Sequence, residues 1–122
     1  MTSDIYIKLD EMGIDLDKPA TPAGNYVPVL VIEDMIYVSG QLPLVNGAIE
    51  LTGQVGDSVT IEDAREQARQ CAIAILRQVA SVSDNLKNVE RVIKLGGFVV
   101  STTDFTEQPK VIDAASELMV TL

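Results

Sequence analysis

The sequence predicts an α+β fold, with strands forming one layer and two main helices the other. Three observations carry this reading. Two short runs of β-branched and aromatic residues, 26–32 and 35–38, flank the acidic pair Glu33-Asp34. A long stripe of small apolar residues begins at Ile61 and repeats at three- and four-residue steps. A second stripe of the same period runs from Val111 to the last residue, Leu122. With a short helix at the start and an apolar run at 91–101, the order is helix, two strands, helix, strand, helix. At 122 residues the chain is expected to be one domain, residues 1–122, long enough to bury a core of its own.

Each element has a local reason. Ser3 is placed to cap a short helix in which Ile5, Leu9 and Met12 share one face and Gly13 is the stop. Residues 17–24 contain two prolines and a glycine and read as an irregular lead-in. The runs on either side of Glu33-Asp34 read as a hairpin of buried strands. Ser39-Gly40-Gln41 closes it, and the bare glycine lets a ligand or another chain approach the backbone. Asn46-Gly47 is a strong turn signal. Thr60 is placed as the N-cap of the main helix, with Asp63 three residues on. The apolar face of that helix is Ile61, Ala64, Ala68, Cys71, Ala72, Ile75 and Val79, with Arg65, Glu66, Arg69, Gln70 and Arg77 on the other faces. RVIKLGGFVVS, residues 91–101, reads as a strand in which Gly96-Gly97 marks a bulge or a close backbone contact. Thr103 or Asp104 starts the last helix, whose apolar face is Val111, Ala115, Leu118, Met119 and Leu122.

Composition excludes several kinds of chemistry. Hydrophobic residues make up 47% of the chain and aromatics only 4%, so the core is aliphatic. The net charge is −9, the wrong sign for a phosphate backbone, where Lys and Arg displace counterions. No nucleic-acid partner is expected. The chain has no histidine, the commonest general base at neutral pH and the commonest metal ligand. Its one cysteine, Cys71, excludes an internal disulfide and a thiolate zinc site. No metal is expected. The start of the chain is acidic and unlike a signal peptide, and no apolar run approaches the ~20 residues of a membrane span. The expectation is a cytoplasmic protein without a membrane partner.

Few side chains suggest a site. Cys71 lies on an apolar stripe and reads as a structural core cysteine. Gly53/Gly56 and Gly96/Gly97 lack the spacing of a phosphate loop. Asp104, Glu107, Asp113 and Glu117 gather around the last helix, where acids ordinarily form a solvated face. Tyr26 stands at the start of a strand after a Pro/Gly-rich stretch, where its ring could line a pocket and its hydroxyl bond a ligand.

Three segments, taken together in their order and spacing, resemble the RidA (YjgF) family, also described as endoribonuclease L-PSP. They are GNYVPV with VSGQLP in 24–43, TIEDAREQARQCAIAIL in 60–76, and GFVVSTTDFTEQPKVIDAASEL in 97–118. The opening LDEMGIDLDKPATPAGNYVP looks like a bacterial branch of that family with an extra N-terminal helix. The resemblance implies a chorismate-mutase-like fold, a mostly antiparallel sheet backed by two helices. It also implies a homotrimer with ligand pockets between subunits. The implied activity is hydrolysis of reactive enamines and imines of the 2-aminoacrylate class to 2-oxo acids and ammonia. An arginine would anchor the substrate carboxylate while a bound water attacks the imine carbon, and no cofactor or metal would be needed. The partner would be a small imine or 2-oxo acid.

Matched residue by residue, Tyr26 corresponds to the family's pocket tyrosine. Ser39, Gly40 and Gln41 correspond to the strand-end motif bordering the pocket. Asp113 falls near a position that faces the cleft. The family continues past its second helix with an Arg-Ser or Arg-Thr strand and then a strand carrying a glutamate; here the sequence stops at Leu122. The four arginines, Arg65, Arg69, Arg77 and Arg91, all lie elsewhere. The expectation is a C-terminally truncated form without the family's last strands, and no catalytic residue is assigned. A non-catalytic trimeric module that binds small carboxylates is the second function compatible with these residues.

Overall fold

The computed structural model describes residues 4–17, 19–22 and 24–122. Ser3, expected as a helix cap, lies outside them. Helix α1 spans Ile5–Glu11, strands β1 and β2 span Val29–Ile32 and Met35–Val38, and β3 and β4 span Leu44–Val45 and Ala48–Ile49. Helices α2 and α3 span Ile61–Ala80 and Gln108–Thr121. The class is α+β, and both strand pairs are antiparallel: β1 with β2, and β3 with β4.

The chain divides into two compact units, and the division falls inside α2. The first takes Met1–Gln41, Ile73–Arg91 and Leu122. Its buried apolar residues are Ile5, Leu9 and Leu16 near the start, Ile73, Ala74, Leu76 and Ala80 on α2, and Leu86. Gly13 ends α1 as expected. Its φ is +70, the N–H of Ile14 donates to the Leu9 carbonyl, and its own N–H donates to the Asp10 carbonyl. That pair of bonds satisfies carbonyls the helix end leaves open. Arg77 Nε donates to the Asp15 carbonyl at 2.7 Å, and the buried Gln78 donates to the Ala20 carbonyl at 3.0 Å. These two side chains fasten the irregular lead-in to α2.

After α2 the chain makes an unusual turn. Asp84, Asn85 and Leu86 all have positive φ, at 50, 56 and 73. Left-handed backbone costs an L-residue roughly 1–2 kcal/mol, so something must hold the turn. The Ser83 hydroxyl donates to the Val79 carbonyl and accepts from the Leu86 N–H. The Tyr6 hydroxyl donates to the Asn85 carbonyl at 2.6 Å, and the Leu86 side chain is fully buried.

The β1–β2 hairpin has the expected turn. Ile32 faces Met35 across Glu33-Asp34, and Glu33 takes a left-handed φ of 52, as two-residue hairpin loops require. The expectation of buried strands is corrected: Leu30, Val31, Ile32 and Tyr37 are each about half exposed. Among the described residues the hairpin is paired only with itself, so both of its edges lack a further strand.

The second unit takes Leu42–Ala72 and Val92–Thr121. Its buried apolar residues are Val55, Val59, Ala64, Ala68, Ala72, Val111, Ala115 and Leu118. The Asn46-Gly47 turn joins β3 to β4 with φ values of 51 and 81, the backbone a two-residue primed turn demands. The Thr60 hydroxyl accepts from the Asp63 N–H at 3.1 Å, capping α2 as its sequence suggests. Arg65 donates to the Lys110 carbonyl and pairs with Glu117 at 3.0 Å, tying α2 to α3.

Three further expectations are corrected. Residues 91–100 are not a strand. Val55 donates to the Val100 carbonyl and accepts from the Thr102 N–H, which leaves one isolated bridge between Val55 and Ser101. A strand needs a ladder partner, and among the described residues the single bridge to Val55 is all the pairing this segment makes. The last helix starts at Gln108, because the preceding residues form a turn in which the Phe105 N–H donates to the Thr102 carbonyl. Gln108 Nε2 then donates to the Phe105 carbonyl and the Ser101 hydroxyl, and Pro109 fits the first helical turn, where its missing N–H is not needed. On α2, Ile75, Val79 and Cys71 are only part-buried, while Ile73, Ala74 and Leu76 are buried. The second half of this helix is apolar on nearly every side, so packing rather than periodicity selects its inner face.

Candidate functional site

The residues singled out from the sequence separate into two groups. Tyr26, Ser39, Gly40 and Gln41 belong to the first unit, and Asp113 to the second. Tyr26 lies just before β1, exposed, with its N–H donating to the Gly24 carbonyl. Ser39 follows β2 directly. Its N–H donates to the Pro28 carbonyl at 2.9 Å and its hydroxyl to the Val27 carbonyl at 3.1 Å. These two bonds extend the hairpin by one step beyond the regular ladder and hold the Ser-Gly-Gln corner beside the residues that follow Tyr26. Gln41 Nε2 donates to the Ser39 carbonyl at 3.1 Å.

This arrangement limits what the corner can offer a ligand. The Ser39 hydroxyl is already donating its proton, so it is left as an acceptor. One N–H of the Gln41 amide is engaged, which leaves its second N–H as a donor and its Oε1 as an acceptor. Nothing lies within 4 Å of the position a Gly40 side chain would take. The backbone there is open to close approach. The exposed Tyr26 phenol can donate or accept.

The other candidates are accounted for structurally. Asp113 is exposed on α3. Of the remaining carboxylates around that helix, Glu107 pairs with Lys110 at 2.6 Å and Glu117 with Arg65. Three of the four arginines are held within their own units: Arg65 as above, Arg77 on the Asp15 carbonyl, and Arg69 beside Glu66 at 3.7 Å. Arg91 is exposed. Cys71 is part-buried, and that burial pushes its thiol above the ordinary range, so it stays protonated at neutral pH. Among the described residues, no three His, Cys, Asp or Glu side chains gather as a metal-binding group. Among them, too, no helix is long and apolar enough to cross a membrane.

Contacts that sequence reasoning missed lie in the second unit. A side chain on Gly97 would collide with Ile112 on α3, and one on Gly56 would collide with the Thr102 hydroxyl. The glycine doublet at 96–97 signals the first of these without showing which glycine is constrained.

A family model described as "YjgF/chorismate mutase-like, putative endoribonuclease" matches residues 7–122. Protein TCP17 of Trypanosoma cruzi is 39% identical over 114 residues, 93% of this chain and 71% of that protein. The crystal structure of Atu1372, a protein of unknown function from Agrobacterium tumefaciens, is 44% identical with a TM-score of 0.85, covering 96% of this chain and 72% of that one. A crystal structure from Shewanella oneidensis MR-1, described as a "putative endoribonuclease", is 26% identical with a TM-score of 0.87, covering 93% of this chain and 75% of that one. With a matching model along nearly its whole length and relatives that share its α+β fold, the chain belongs to the YjgF/chorismate mutase-like family.

Proposed function

We propose that this protein hydrolyses reactive enamines and imines of the 2-aminoacrylate class to 2-oxo acids and ammonia, the activity implied by its RidA-like motifs. The observation that carries the reading is the corner after β2. Ser39 and Gln41 are tied into their own loop, and the backbone at Gly40 is left open beside the strand that follows Tyr26. In the proposed reaction, water adds to the imine carbon, the C–N bond breaks, and ammonia leaves as the carbonyl forms. Such imines already hydrolyse in water, so holding substrate and water in register supplies most of the acceleration. Tyr26 and the 39–41 backbone would form one wall of the site. Residues 1–122 would act as one domain of a homotrimer with its pockets between subunits.

The test is release of 2-oxo acid from 2-aminoacrylate generated in situ. The protein should raise the rate above that in buffer, and Tyr26→Phe should change that rate without unfolding the protein. No acceleration would refute the enzymatic reading.

A second reading is a module that binds small carboxylates or other small metabolites without turnover. Calorimetry with 2-oxobutanoate separates the two, since binding without turnover supports only this one. The endoribonuclease wording attached to the Shewanella structure fits less well, because a chain at −9 without histidine lacks both attraction for RNA and the usual acid–base pair.

A further inference from the structure

We propose that Asn46 is a site of spontaneous covalent modification, where the side-chain amide closes onto the backbone nitrogen of Gly47 and the residue becomes isoaspartate or aspartate. The Gly47 nitrogen gives its proton to solvent base and attacks Cγ of Asn46. The Cγ–Nδ2 bond breaks, and ammonia leaves with the proton returned. Water then opens the succinimide at either carbonyl. The sum is amide plus water to carboxylate plus ammonium, with no oxidant or reductant.

Four asparagines are present: Asn25, Asn46, Asn85 and Asn88. The attacking group is the backbone nitrogen of the following residue, and the structure treats these four nitrogens differently. The Tyr26 N–H donates to the Gly24 carbonyl at 3.1 Å and the Val89 N–H to the Leu86 carbonyl at 3.2 Å. The Leu86 N–H donates to the Ser83 hydroxyl at 3.1 Å. Among the described residues, no hydrogen bond engages the Gly47 N–H. Leu86 is also fully buried, and the Asn85 carbonyl is held by Tyr6. By contrast Asn46 and Gly47 are exposed, and nothing lies within 4 Å of the position a Gly47 side chain would take.

Ring closure also requires the turn to leave its native backbone. Only two residue pairs, Leu44 with Ile49 and Val45 with Ala48, hold the β3–β4 hairpin. A pairing that short opens readily. Folding therefore slows reaction at Asn25, Asn85 and Asn88 and leaves Asn46 almost as reactive as in an unfolded chain. Conversion to isoaspartate puts an extra methylene in the main chain and a charge at the tip, which the two-residue turn does not accommodate.

The test incubates the purified protein at mildly alkaline pH, in buffer and in concentrated urea. Peptide mapping by mass spectrometry, with isoaspartyl methyltransferase labelling, follows each asparagine. In buffer, Asn46 should convert first and at a rate within several-fold of its rate in urea, while the other three slow by much more on folding. The proposal is overturned if another asparagine converts first in buffer. It is equally overturned if Asn46 persists in buffer while converting readily in urea, which would mean that the hairpin protects it.

Discussion

Gly96 and Gly97 are adjacent and identical in sequence terms, yet a methyl group should have opposite effects at the two positions. A Cβ at Gly97 would lie 2.5 Å from Cδ1 of Ile112 and 3.4 Å from its Cγ1, whereas a Cβ at Gly96 meets nothing within 4 Å. Carbon pairs settle near 3.5–4.0 Å, so Cδ1 must retreat by about 1 Å. Ile112 is only half-buried near the start of α3 and can turn its terminal methyl outward. The cost therefore falls at the low end of the ~1–3 kcal/mol typical of overpacking. Neither glycine has a positive φ, so alanine also removes unfolded-state freedom worth ~0.4–1 kcal/mol. Gly97→Ala should lose up to about 0.5 kcal/mol net, and Gly96→Ala should gain about 0.5 kcal/mol. Urea unfolding at one fixed protein concentration measures both, and the difference corresponds to a midpoint gap of roughly 1 M or less. Ile112→Val deletes the colliding atom. Alone it should cost ~0.5–1.5 kcal/mol, but in the Gly97→Ala background it should cost much less, giving a coupling of about 1 kcal/mol. Equal midpoints for the two alanine variants, or strict additivity in the cycle, would refute the reasoning.

Cys71 should make stability depend on pH. Its thiol is raised by burial, so above the ordinary thiol range, about 8.5, the unfolded chain ionises while the folded one stays protonated. Its contribution is fully present below that range and is lost as pH rises through it. Cys71→Ala should flatten the alkaline fall in the urea midpoint, and an unchanged slope would count against the assignment. At the left-handed turn, Asp84→Val should destabilise by ~1–2 kcal/mol, because a β-branched residue tolerates φ near +50 poorly. Asp84→Gly should not destabilise, and thermal melts of the two variants should diverge accordingly. Arg65 makes two contacts and Glu117 shares only one of them. Arg65→Ala should cost about 1 kcal/mol, whereas Glu117→Ala should cost only a few tenths, as for an exposed ion pair; equal losses would show that the carbonyl bond contributes nothing.

The parts of this protein legible in sequence are those governed by neighbours along the chain. Gly13 as a helix stop, Thr60 as a cap, Glu33-Asp34 and Asn46-Gly47 as turns, and the period of α3 all depend on backbone groups a few residues apart. Motif spacing likewise carries the family, and composition carries the aliphatic core. The site is legible only in part. Ser39 is recognisable as a motif residue, but that its hydroxyl is committed to the Val27 carbonyl depends on how two strands pair.

What the tertiary structure decided concerns partners distant in sequence. Residues 91–100 have strand composition but join no ladder, since a strand exists only where another segment completes its hydrogen bonds. The inner face of α2 past Cys71 was set by packing, because a surface that is apolar on nearly every side does not choose its own direction. Three left-handed residues at 84–86 are tolerated because Tyr6, some eighty residues earlier, Ser83 and the buried Leu86 side chain together hold them. The glycine doublet became one constrained position and one free one only when α3 brought Ile112 against Gly97. In each case the deciding energy is a contact across the fold, which no local propensity encodes.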